Sequence, residues 1–325
     1  NKAMKAKSIA SDIQQIIVIG DSQDDYSSSW DQATRAQPSD RLIFDRPISG
    51  TEIASYFHTG GTTGAPKLAQ HTHRRQVLNV CQMQITGPRG TEKNEFADCD
   101  IILCTLPLFH VNAVFVTSLN AIVGAGQVVL AGPNGFRNPQ LIHDFWHLVE
   151  KYKVTFFAAV PTIYATLLDQ PMTDIDTSSL INCGCGAAPM PVSLIDNFAR
   201  NTGADIMEGY GMTETIAAAS THYVYGDRKV GSVGMRLPYH GIKIAEIDSK
   251  GKITNECGVN EVGIIFHSGI STFPGYKQED ANLGVWSGEW FNSGDMGRID
   301  EEGYLWLVGR SKDLIIRGGH NIDPL

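Results

Sequence analysis

The sequence predicts an α/β fold, with mostly parallel α/β layers followed by a small antiparallel β subdomain. Between residues 100 and 210 short apolar strand patterns alternate with helical ones, the mark of a largely parallel sheet. After about residue 230 the helical patterns give way to strands separated by tight turns, the mark of antiparallel pairing. Glycine is in excess: average usage of about 7% gives roughly 23, and the chain has 33. That surplus points to many tight backbone positions, as in turns and phosphate loops.

The elements follow in order. Residues 16–20 form a short apolar run ended by glycine, which predicts a buried strand. Residues 21–50 are polar and rich in Pro, Ser and Asp, so they read mostly as loop. A strand at 53–58 runs into a glycine-rich loop, and residues 73–85 read as a helix. Strands follow at 101–106, closed by Pro107, and at 127–130. Asn138 before Pro139 is an N-cap followed by proline in the first turn, and Leu141, Phe145 and Leu148 keep helical spacing. A strand at 154–160 leads to a helix opened by Pro161. A strand at 180–183, a helix at 191–200 stopped by Gly203, and a strand at 204–207 complete the alternation. Residues 242–247, 261–267 and 304–308 read as the antiparallel strands.

Composition excludes several classes. Hydrophobic residues make up 42% and charged residues 19% of 325, a soluble globular balance. The net charge of −9 argues against a nucleic-acid binder, so an anionic ligand must be held by local groups. The longest apolar runs are far shorter than the roughly 18 residues of a membrane span. The basic start is followed by polar residues and not by a secretory apolar core. Cysteines 81, 99, 104, 183, 185 and 257 form no zinc pattern and read as reduced core thiols of a cytoplasmic protein. His143 and His147 share a helical face without the intervening Glu of a zinc motif, and read as a surface pair.

Four loops carry chemistry. Thr59, Gly60, Gly61, Thr62, Thr63, Gly64, Ala65, Pro66 and Lys67 combine three glycines, three hydroxyls and one ammonium. Glycines let backbone N–H groups converge on an anion, and the expected strand-to-helix position suits a phosphate cradle. It is not a Walker A loop, since no Gly-Lys-Ser/Thr occurs. The second loop is Glu208, Gly209, Tyr210, Gly211, Met212, Thr213, Glu214 and Thr215. It fails the dinucleotide fingerprint at Glu214 but suits a Mg²⁺–phosphate corner; a strand-to-helix turn with a capping glutamate is equally consistent. Asp295 follows Ser293 and Gly294, and Arg310 lies in a Gly-Arg-Ser-Lys-Asp run; they read as a hydroxyl acceptor and a phosphate partner.

In this order the loops resemble those of the adenylate-forming superfamily, and within it the acyl-CoA synthetases. Residues 59–67 resemble its phosphate loop, 107–110 its substrate-side motif and 186–189 its adenine-side turn. Residues 210–214 resemble its nucleotide motif, 293–295 its ribose motif and 309–313 its hinge. The resemblance spans residues 53–324, and the run after the hinge is similar to acyl-CoA ligases more than to peptide-synthetase adenylation domains. It implies the large N-terminal-type domain of such an enzyme. The division it implies is an α/β nucleotide- and acyl-binding core at 1–228, a β-rich subdomain at 229–311 and a hinge at 312–325.

The implied activity uses ATP, Mg²⁺, coenzyme A and a carboxylic acid, fatty or aryl, with AMP and pyrophosphate as products. Thr59, Gly60, Gly61, Thr62, Thr63, Gly64 and Lys67 would hold the outer phosphates. Thr213 would reach the α-phosphate, and Glu214 would hold Mg²⁺. Glu208, Gly209, Gly211 and Met212 belong to the same nucleotide loop. Tyr210 would sandwich adenine against Gly186, Ala187, Ala188 and Pro189. Asp295 would take the ribose hydroxyls, Arg310 the ribose-phosphate side and Lys312 the hinge, with His110 between nucleotide and acyl pocket. Val111, Ala113, Val114 and Cys185 point to an apolar acyl tunnel.

The resemblance also implies a C-terminal lid domain, which is absent after Leu325, and a longer region before the phosphate loop. The chain is therefore expected to be a central piece of a larger ligase, poorly active by itself. Two other readings stay open: transfer of the acyl group to a carrier protein or to oxygen, and a nucleotide-binding module that has lost catalysis. A homo-oligomer is also left open.

Overall fold

The computed structural model describes residues 2–10, 12–20, 27–41, 43, 46–59, 66–87, 100–224, 226–311, 315–317 and 320–322. The chain divides into two compact units, Asn1–Ser49 and Gly50–Leu325. The first holds helices Lys2–Ile9 and Trp30–Arg35 and a parallel pair of strands, Ile16–Val18 and Ser27–Ser29. The strand expected at 16–20 is shorter and not buried, with Ile17 48% exposed. A two-stranded sheet is too small to cover both its faces. Strand Ser27–Ser29 and the second helix fall where loop was expected.

The second unit opens with a hairpin. Ile53–Thr59 pairs antiparallel with Lys67–Thr72, placing Thr59 opposite Lys67. The expected direct passage from loop to helix is thus corrected. The strand Lys67–Thr72 finds backbone partners on both sides, in the hairpin and in the segment 275–277, where Gln70 N donates to Gly275 O and Lys277 N to Leu68 O. Helix His73–Thr86 begins only afterwards, with the Thr72 hydroxyl accepting from Arg75 N at 3.3 Å.

The alternating region builds the main sheet. Five parallel strands lie in the order Asp205–Tyr210, Asn182–Cys185, Phe156–Ala159, Ile101–Cys104, Gln127–Leu130. Short strands Ser220–Thr221 and Met235–Arg236 extend it antiparallel beyond Asp205–Tyr210. Asn138 caps Pro139–Tyr152 by accepting from Gln140 N at 3.1 Å, as its sequence predicts. Gly203 ends Val192–Thr202 at φ 76°, a left-handed conformation that a Cβ would strain. These helices close one core over the sheet. Phe145 meets Phe157 edge-on at 4.8 Å, and Tyr164 meets Phe198 at 5.1 Å. Each such ring contributes about 1.5–3 kcal/mol by leaving water.

A further element escaped the sequence reading. Asn112–Leu119 is a π-helix, whose wide turn has no apolar period of 3.6. It turns Ala113 into the core and packs Val114 against a second cluster built on Val80, Phe115 and Leu237.

The antiparallel sheet runs Ile253–Glu256, His240–Ile247, Gly263–Gly269, Trp290–Ile299, Trp286–Ser287, with Leu305–Arg310 also on Trp290–Ile299. Tyr210, Ala219, Val233, Ile244, Ile265 and Leu305 form the core that joins it to the end of the parallel sheet. Of the described cysteines, Cys104, Cys183 and Cys185 are buried, whereas Cys81 and Cys257 are half-buried and not core thiols. No described helix is long and apolar enough to cross a membrane.

Candidate active site

The carboxyl ends of the parallel strands open on a cavity of about 1030 Å³, lined by Leu106, Val160, Gly186, Ala187, Gly211 and Met212 among others. In doubly wound sheets this is where ligands bind, because the connections leave a crevice there. Thr59 and Lys67 line it from the hairpin, and Thr213, Glu214, Tyr210 and Arg310 line it as well.

Strand Asp205–Tyr210 alternates, burying Ile206, Glu208 and Tyr210 on one face. Glu208 is not among the cavity-lining residues and accepts from Gly231 N at 2.9 Å; burial pushes its carboxyl up. Past Tyr210 the chain turns sharply. Met212 N donates to Thr215 Oγ1 at 3.0 Å, and Ile216 sits at φ 67°, a costly conformation for a branched residue. The turn Thr213–Thr215 therefore holds Glu214 in place by local hydrogen bonds and stored strain.

Glu214 is buried and accepts a short hydrogen bond from the Tyr276 hydroxyl. The Lys67 ammonium sits 4.9 Å over the Tyr276 ring. Burial pushes the Glu214 carboxyl up, while Tyr276 and Lys67 pull it back down. Beneath the turn, His71 Nε2–H donates to Thr213 O at 2.7 Å. Burial lowers the His71 pKa to about 4, so its ring is a neutral donor at pH 7.

The Tyr276 hydroxyl stabilises the ionised Glu214, so Tyr276→Phe leaves the carboxyl protonating at higher pH. The acid limb of Mg-ATP binding, followed by calorimetry, is expected to move to higher pH. An unmoved limb would separate Glu214 from the metal.

A second corner forms where the sheets meet. The sequence reads Asp295 as a loop residue, but it lies within strand Trp290–Ile299, opposite Arg310 in register. The Arg310 Nε–Asp295 Oδ1 distance is 2.9 Å, and Tyr210 donates to Asp295 Oδ2 at 2.7 Å. The structure thus brings Tyr210, Asp295 and Arg310 together.

The remaining expected residues are dispersed. Gly186 and Ala187 line the cavity, Ala187 at φ 69°, whereas Ala188 and Pro189 are exposed and outside its lining. Gly209 lines it by its backbone. His110 lies on the cavity wall, its Nδ1 accepting from Asn112 N at 3.2 Å. Of the four residues expected at an acyl tunnel, Val111 and Cys185 line the cavity, whereas Ala113 and Val114 do not. Gly60, Gly61, Thr62, Thr63, Gly64 and Lys312 lie outside the described residues. Sequence reasoning missed Tyr276 and His71, although the Pro-Gly-Tyr run at 274–276 marks a turn that deserved a role.

Among the described residues no group of three His, Cys, Asp or Glu side chains could hold a metal alone. Mg²⁺ does not need one. It binds through one or two carboxylates and completes its octahedron with phosphates and waters. Glu214, a buried carboxylate on a cavity wall with its pKa raised, fits that donor set.

A cavity at the carboxyl ends of a parallel sheet, with an acid–lysine corner and a carboxylate–arginine corner, defines an α/β nucleotide-binding protein. The AMP-binding enzyme family matches residues 2–277, and the chain belongs to that family. It is 52% identical over its whole length to a marinolic acid–CoA ligase from Pseudoalteromonas sp., covering 49% of that protein. It is 32% identical over 279 residues to a long-chain-fatty-acid–CoA ligase from Bacillus subtilis, with 84% of this chain and 46% of that protein covered. The O-succinylbenzoate coenzyme A synthetase of Bacillus subtilis, solved with ATP and magnesium ion, superposes with a TM-score of 0.74 at 28% identity. That match covers 92% of this chain and 58% of the other. The chain spans about half the length of the curated relatives it matches.

Proposed function

We propose that the chain is the nucleotide- and acyl-binding part of an ATP-dependent acyl-CoA synthetase acting in the cytoplasm on a fatty or aryl acid. The observation that carries this is the Lys67–Tyr276–Glu214 corner on the cavity wall, with Tyr210 and Arg310, the two partners of Asp295, lining the same cavity. In this reading the carboxylate attacks the α-phosphorus of ATP, giving acyl-AMP and pyrophosphate. The CoA thiol then displaces AMP to form the thioester.

Both partners of the first step are anions. Two unit charges 4 Å apart repel by about 4 kcal/mol at an effective dielectric near 20, so fixed donors must offset that. Thr59, Lys67 and the loop 60–64 hold the outer phosphates, and Thr213 meets the α-phosphate. Glu214 holds Mg²⁺, which neutralises phosphate charge when bound. Asp295 takes the ribose hydroxyls through its remaining lone pairs, and Arg310 takes the phosphate side. Tyr210 and residues 186–189 flank adenine, His110 separates nucleotide from acid, and Lys312 serves as hinge. The core at 1–228, the β-rich part at 229–311 and the hinge at 312–325 divide these tasks. No nucleic acid takes part.

Acid-dependent AMP formation with and without CoA tests the reading. Thioester appearing only with CoA supports it. In a protein that carries this chain at its relatives' full length, acyl-AMP that forms but never passes to CoA would transfer the reading to a carrier-protein ligase.

A further inference from the structure

Behind the Asp295 corner runs a line of buried polar side chains that the proposed chemistry does not use. His240 opens strand His240–Ile247, and His267 lies on the neighbouring strand Gly263–Gly269, paired with Ile242. The two rings are therefore diagonal neighbours on one face of the sheet. Ser271 Oγ lies 2.9 Å from His240 Nδ1, and His240 Nε2 lies 3.0 Å from His267 Nδ1. His267 Nε2 lies 3.4 Å from the Tyr210 hydroxyl, which reaches Asp295. All three polar residues behind Tyr210 are at most 1% exposed.

The proton count admits one assignment. Asp295, ion-paired with Arg310, only accepts, so the single Tyr210 proton goes to Oδ2. The Tyr210 oxygen must then accept from His267 Nε2–H. A neutral imidazole has one N–H, so His267 Nδ1 accepts from His240 Nε2–H, and His240 Nδ1 accepts from the Ser271 hydroxyl. Burial lowers the His240 pKa to about 4 and takes His267 well below its ordinary value, so both rings are neutral at pH 7, as this requires. Every link then points the same way, from Ser271 toward Asp295.

We propose that His267, backed by His240 and Ser271, is a positioning residue: by donating to the Tyr210 oxygen it holds in place the hydroxyl that bonds Asp295, and so fixes the carboxylate that faces the ribose hydroxyls. The proposal rests on the reading that Asp295 takes those hydroxyls. Without the His267 donor the Tyr210 hydroxyl still points to Asp295, but its buried oxygen loses the hydrogen bond from His267 and is less firmly placed.

The test compares ATP with 2′,3′-dideoxy-ATP, which lacks the hydroxyls, by calorimetry on the unsubstituted chain and on variants. The unsubstituted chain is expected to prefer ATP by about tenfold, the worth of one good hydrogen bond to a charged group. His267→Leu is expected to lose that preference while binding dideoxy-ATP unchanged. His267→Gln, which keeps one donor and one acceptor, is expected to restore it. A merely structural role would weaken both nucleotides alike and leave the preference, which would overturn the proposal. Should His267→Leu not fold, Ser271→Ala carries the same test, with the preference falling about threefold; full preference there would also overturn it. Equal affinity of the unsubstituted chain for both nucleotides would overturn the ribose reading itself, and the proposal with it.

Discussion

Glu214→Gln is expected to weaken Mg-ATP binding roughly a hundredfold, about 3 kcal/mol, without weakening the fold. The two halves of that expectation have one cause. Glu214 is buried, and burial pushes its carboxyl up, so the ionised form costs the folded state free energy at neutral pH. A raised carboxyl pKa means that stability grows as pH falls through it. The amide removes that cost and still accepts from Tyr276, so the thermal midpoint should hold or rise. A neutral amide is, however, a poor Mg²⁺ ligand, so binding is lost. On the proposed reading, stability is surrendered here to keep a charge where Mg²⁺ would bind. Unchanged ATP affinity in the presence of magnesium would remove Glu214 from the metal site.

Gly211→Ala is expected to cost about 4 kcal/mol of stability and to abolish nucleotide binding. A Cβ at Gly211 would lie 1.9 Å from Ala217 O and 2.8 Å from Ala218 Cα. Both are backbone atoms, so no side chain can yield. The turn between Tyr210 and Ala217 must open, and it carries Thr213 and Glu214 with it. Gly186 offers the control. A Cβ there would meet only Gly209 O at 3.4 Å, an ordinary contact. Gly186→Ala should therefore stay within about 0.5 kcal/mol of the unsubstituted protein in urea denaturation. Equal effects at the two positions would contradict the close-approach argument.

Those two glycines also mark how far the sequence reads. Both belong to the glycine surplus, and both fall in loops that resemble nucleotide motifs. Their different roles depend on what packs against them, which no local pattern encodes. The parallel layers were legible because strand and helix periods are local: Asn138, Pro139 and Gly203 punctuate helices as their chemistry dictates. The hairpin was not, because Lys67–Thr72 owes its strand form partly to residues 275–277, some 200 positions away. Asp295 reads as a turn residue because Ser-Gly precedes it, yet its pairing with Leu305–Arg310 makes it a strand residue. Glu208 looked like a nucleotide ligand by adjacency, but its carboxylate accepts from Gly231 N and it is not among the residues that line the cavity. His71, Tyr276, His240 and His267 support the site across 142, 62, 27 and 57 residues of chain, so only the fold reveals them.

In the proposed function this cavity activates a carboxylic acid by adenylation. Carboxylate-dependent exchange of labelled pyrophosphate into ATP, with a panel of fatty and aryl acids and magnesium present, tests it most directly. Exchange is expected to require one class of acid and to be lost in Glu214→Gln. Exchange independent of any acid, or ATP cleavage to ADP and phosphate, would contradict it.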